Sequence, residues 1–95
     1  MRMLIKVQIP TEAGNKAIKD GSLPRLIQGF TDKAKPDAVY FGTSDGKRTM
    51  FAVFDMTSPD QTPSLAEPLF QGLDATIELM PVMNAADLRA GLAQL

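Results

Sequence analysis

Residues 37–56 read DAVYFGTSDGKRTMFAVFDM, two apolar segments that meet at Asp45-Gly46. A two-residue hairpin turn requires φ > 0, which Gly adopts freely and Asp tolerates better than most residues. Folding the chain there sets Tyr40 opposite Phe51, Phe41 opposite Met50 and Val39 opposite Ala52. Both faces of the hairpin are then apolar. Val39, Phe41, Met50, Ala52 and Phe54 lie on one, and Ala38, Tyr40, Phe51 and Val53 on the other. A hairpin with one face in water would alternate apolar with polar. This one requires cover on both sides.

Working outward, Arg2 to Ile9 alternates with a period of two: Met3, Ile5, Val7 and Ile9 against Leu4, Lys6 and Gln8, as a strand should. Pro10 ends it, and Thr11 is positioned to cap a helix. Ala13, Ala17 and Ile18, then Leu23, Leu26, Ile27, Phe30 and Ala34, fall at helical spacing up to Pro36. The expectation is one long helix kinked near Gly21, with Ser22 capping its restart and Pro24 accommodated in the new first turn. Past the hairpin, Ser58-Pro59 and Thr62-Pro63 both read as helix starts. Leu65, Ala66, Leu69 and Phe70 would form the buried stripe, with a bend at Pro68 and Gly72 just beyond the end. A fourth strand covers about Ala75 to Met83. Asn84, with Asp87 three residues on, caps a final helix whose stripe is Leu88, Leu92 and Leu95.

The order βαββαβ plus a terminal helix predicts one α+β domain over residues 1–95. Its plan is the ferredoxin-like split βαβ: a four-stranded antiparallel sheet, helices on one face and an extra C-terminal helix. The all-apolar strand faces belong under the helices. The second face carries Leu4, Lys6, Gln8, Tyr40, Phe51, Val53, Asp55, Thr76, Glu78 and Met80. Exposed apolar area of that kind marks an interaction site.

In length, element order and face character, the chain resembles the small dimeric α+β barrel proteins, in which two ferredoxin-like protomers pack sheet against sheet. The resemblance implies a homodimer through the open sheet face. It also implies a cavity between the sheets, able to bind or transform a small organic molecule. Known sites in that group often rely on His, Trp or Asn, and this chain has neither His nor Trp, so no catalytic residue is carried over. The residues that would line such a cavity are Lys6, Gln8, Tyr40, Phe51, Asp55 and Glu78. Among them Tyr40, Asp55 and Glu78 are the candidates for chemistry. A carboxylate enclosed there would titrate above its ordinary range and serve as acid or base. A non-catalytic protein-interaction module is the alternative.

Composition narrows the rest. Ten basic and eleven acidic residues nearly cancel, so no long-range field draws the chain to nucleic acid or an anionic membrane. An RNA-recognition domain shares the βαββαβ order, and Lys47, Phe51 and Phe54 approach its third-strand pattern. However, Arg48, Thr49 and Met50 replace its Gly, aromatic and small residues, and the first strand offers no ring to stack a base. Without Cys or His there is no thiolate chemistry, no disulfide and no likeness to the commonest metal sites, and no metal or cofactor is expected. The N-terminal stretch alternates rather than forming a signal-peptide core, so a cytoplasmic location is expected.

Overall fold

Alternation along RMLIKVQI produces β1, Arg2–Ile9, with Met3, Ile5, Val7 and Ile9 buried and the side chains between them half-buried or exposed. This strand is central in the computed structural model, which describes residues 1–95. It pairs antiparallel with β3, Lys47–Asp55, on one side and with β4, Thr76–Pro81, on the other. The hairpin adds β2, Ala38–Ser44, outside β3, so the strand order is β2-β3-β1-β4. That α+β arrangement is consistent with the ferredoxin-like plan.

The turn forms as its residues dictate. Asp45 and Gly46 have φ of 55° and 72°, the paired left-handed conformation of a type I′ turn. The register follows: Tyr40 faces Phe51, Phe41 faces Met50 and Val39 faces Ala52.

Three helices cover one face. The single kinked helix expected over residues 11–34 is instead two, α1 at Thr11–Lys19 and α2 at Ser22–Ala34. Gly21, at φ 78°, breaks the helical run outright, and the Asp20 carboxylate accepts the Ser22 N–H at 2.8 Å to begin the second helix. Pro10, not Thr11, occupies the N-cap position of α1, and it makes no side-chain cap. A short 3-10 turn, Pro59–Gln61, leads into α3, Thr62–Leu73.

Helix α3 continues through Pro68. Lacking an N–H, Pro68 leaves the Ser64 carbonyl without its helical donor. The Lys33 ammonium on α2 takes that place at 3.1 Å. Gly72 lies inside α3 rather than after it, because the helix closes on Asp74 at φ 51°. Its role is close packing: a Cβ at Gly72 would stand 2.6 Å from Leu26 Cδ1 on α2.

The core between helices and sheet contains Ile5, Val7, Met50, Phe54, Leu69 and Leu73, all nearly inaccessible. Phe30 meets Phe54 edge to face, with centroids 6.0 Å apart. One expected core member is missing from it. Phe41 shares the helix face by register yet is 60% exposed, because β2 is an edge strand along which no helix packs closely.

The terminal helix is the second departure. Helix α4, Ala85–Leu92, has the expected Asn84–Asp87 capping box. Its stripe of Leu88, Leu92 and Leu95 is nevertheless exposed, and it covers no part of the core. An ion pair from Arg2 to Asp87, 2.8 Å, ties it to β1. The radius of gyration is accordingly 14.8 Å, against about 12.4 Å for a compact chain of this length. No helix is long and apolar enough to cross a membrane.

Candidate functional site

Strand register decides which residues of the open face can act together. Tyr40 pairs with Phe51, Phe51 with Lys6, and Lys6 with Glu78. These four side chains therefore form one row across the whole sheet. At about 4.8 Å between strands, the row is roughly 14 Å long. The next row is Ala38, Val53, Leu4 and Met80, entirely apolar, and the row on the other side is Gly42, Thr49, Gln8 and Thr76.

The row has a graded character. Two rings stand at the β2 end, the half-buried Lys6 in the middle and the exposed Glu78 on the β4 edge. Lys6 and Glu78 are direct cross-strand neighbours but make no ion pair, since the chain's two ion pairs are Met1–Asp55 and Arg2–Asp87. The Tyr40 hydroxyl, 70% exposed as a residue, has no partner within the chain. Their hydrogen-bonding capacity is thus free for something outside the chain.

Two predicted site residues are engaged elsewhere. Gln8 donates from Nε2 to the Ser44 carbonyl at 2.8 Å and to Asp45 Oδ2 at 3.2 Å, so it braces the hairpin turn. Asp55 lies four residues along β3 from Phe51, about 13 Å at strand rise. Its Oδ1 holds the N-terminal ammonium at 2.7 Å, and it lines a polar depression with Arg2, Asp37 and Asp87. The structure therefore gathers Lys6, Tyr40, Phe51 and Glu78 and separates Asp55 from them. The chain has no group of three or more acidic, His or Cys residues arranged to hold a metal ion.

One charged side chain that belongs to neither set lies on the opposite face. Arg48 pairs with Ile9 and Thr43, in phase with Met50 and Ala52 beneath the helices. Its Nη2 donates to Asn15 Oδ1 at 3.0 Å, and a Cβ built at Gly14 would lie 2.6 Å from its Nη1. Gly inside a helix costs about 1 kcal/mol relative to Ala, and here it leaves room for the guanidinium. The alternation of KRTMFAVF alone puts Arg48 on the buried face. The apolar residues that mark the hairpin carry no signal for it.

No protein-family model matches the sequence, and no curated protein matches it. Among solved structures, the crystal structure of protein Atu4242 from Agrobacterium tumefaciens aligns with 90% of this chain and 96% of its own, at 13% identity and a TM-score of 0.40.

Proposed function

We propose that this chain acts as a homodimer whose open sheet faces pack together. In this reading the row Tyr40–Phe51–Lys6–Glu78 lines the space between them as a binding site for a small organic molecule. The observation that carries the reading is the continuous apolar row Ala38–Val53–Leu4–Met80 beside Phe51 and Tyr40. Contiguous apolar surface of this kind is uncommon on a monomer and marks an interaction site. Stacked sheets stand about 10 Å apart, close enough for Val53 and Leu4 to meet their counterparts.

The adjoining row has different chemistry. Phe51 offers a flat apolar surface, Tyr40 and Lys6 donate hydrogen bonds, and Glu78 accepts them. A planar molecule bearing oxygen substituents suits that set. Glu78 is the group in the row through which a proton would be exchanged, with Asp55 outside it.

Sedimentation equilibrium tests the assembly. The unmodified protein should be a dimer at micromolar concentration. Phe51→Glu should be a monomer, because it would place an unpaired charge in the centre of the interface. A monomeric unmodified protein overturns the reading. For the site itself, compounds that raise the unfolding temperature of the dimer should lose that effect in Lys6→Met and Tyr40→Phe.

A further inference from the structure

The face under the helices contains a cavity of about 360 Å³, open toward the hairpin end of the sheet. Leu23 and Ile27 of α2 form its accessible apolar walls, and the nearly inaccessible Val7, Met50, Leu69 and Leu73 lie at its floor. Exposed Phe41 forms its lip. Its polar part is confined to one end, where Thr43 and Arg48 are cross-strand neighbours.

Arg48 keeps most of its donors free for a ligand, since those without a partner in the chain are open to solvent. A guanidinium carries five N–H donors, and the only hydrogen bond this side chain makes within the chain is to the neutral amide of Asn15. Neither of the chain's ion pairs includes it. A half-buried cation without a counter-ion, at the mouth of an apolar chamber, is complementary to an anion with a hydrocarbon body. The volume lies near the lower limit for ligand sites, roughly 300–1,000 Å³, which restricts the guest to a small one.

We propose that this cavity binds a small amphipathic monocarboxylate, with its apolar body between α2, α3 and the sheet and its carboxylate on Arg48 and the Thr43 hydroxyl. Gly14 is a positioning residue, since it allows the guanidinium to lie against α1. The site is on the face opposite the Tyr40–Glu78 row, so it stands whether or not the open faces pair.

Octanoate and its neutral analogue octanol, titrated separately into the isotope-labelled full chain and followed by NMR, test the proposal. Octanoate should bind about tenfold or more tightly than octanol, as charge-assisted hydrogen bonding to Arg48 requires. The shifted resonances should centre on Val7, Ile27, Arg48 and Leu69. Arg48→Met should remove the preference for octanoate while octanol binding persists, which also shows that the variant is folded. Gly14→Ala presses chiefly on the guanidinium, 2.6 Å away, and only lightly on Ile9 of the cavity lining, 3.3 Å away, so it should weaken octanoate much more than octanol. Equal affinity for the two compounds, binding of neither, or shifts centred on Leu4 and Phe51 would overturn the proposal. So would octanoate binding that appears only after residues 84–95 are deleted, because the occupant would then be the terminal helix of a second copy.

Discussion

The contact between Lys33 and Ser64 can be weighed by a double-mutant cycle. Pro68 cannot donate to the Ser64 carbonyl, and the Lys33 ammonium does so from α2 at 3.1 Å. Lys33→Met removes that donor but keeps the aliphatic stem. Both residues are exposed, so water can replace the ammonium, and the loss should be at the low end for a hydrogen bond, about 0.5–1 kcal/mol. Pro68→Ala restores a main-chain N–H to the same carbonyl and should stabilise the protein by about 2–3 kcal/mol, the usual difference between Pro and Ala within a helix. With the carbonyl satisfied by its own helix, Lys33→Met should then cost less than about 0.3 kcal/mol, the scatter expected of independent sites. Urea unfolding of the four proteins, with similar m-values, measures the coupling. An equal loss in both backgrounds would refute the argument and show that Lys33 acts through something other than the carbonyl Pro68 leaves free.

Other perturbations test separate parts of the structure. Gly46→Val should destabilise by roughly 1–2 kcal/mol through left-handed backbone strain, and unfolding as stable as the parent's would contradict the φ of 72°. Phe54→Ala removes a fully buried ring and its edge-to-face contact with Phe30, and calorimetry should show a loss of about 3–5 kcal/mol. Hydrogen bonds from the Ser22 hydroxyl and backbone N–H hold the Asp20 carboxyl below its ordinary 3.8. A group depressed in the folded state contributes stability above its unfolded value and loses it as the pH falls through the folded one. Asp20→Asn should therefore flatten the acid limb of the stability profile below about pH 4, and a limb of unchanged slope would show that Asp20 does not contribute there.

Local chemistry was enough to place the hairpin, the four strands and the Asn84 cap, because each depends on residues close together in the chain. Asp45-Gly46 determines its own turn, and the turn determines the register of β2 on β3. From that register the Tyr40–Phe51 pair followed directly. Its extension to Lys6 and Glu78 depends on long-range pairing of β1 with β3 and β4, which no local signal specifies. Gly21 and Gly72 show the same divide. Both are glycines in helical stretches, but one supplies a left-handed break and the other a close approach to Leu26, a residue distant in sequence. Periodicity treated the stripe of α4 like that of α2. Whether a stripe finds a surface depends on where the preceding strand points the chain, and here it finds none. Phe41 departs from its expected place for a related reason, since alternation assigns a face but not how far the helices extend over it.

The two margins of the sheet are also chemically unequal. Strand β4 presents Glu78 and ends in Pro81, a charge and a missing donor that both discourage another strand from adding on. Strand β2 has no charged residue between Ala38 and Ser44, so its outer backbone groups are open to pairing. Of the two margins, β2 is therefore the less protected against an added strand. Two chains joined there would present protected margins at both ends, and growth would stop at a pair instead of continuing into a fibre.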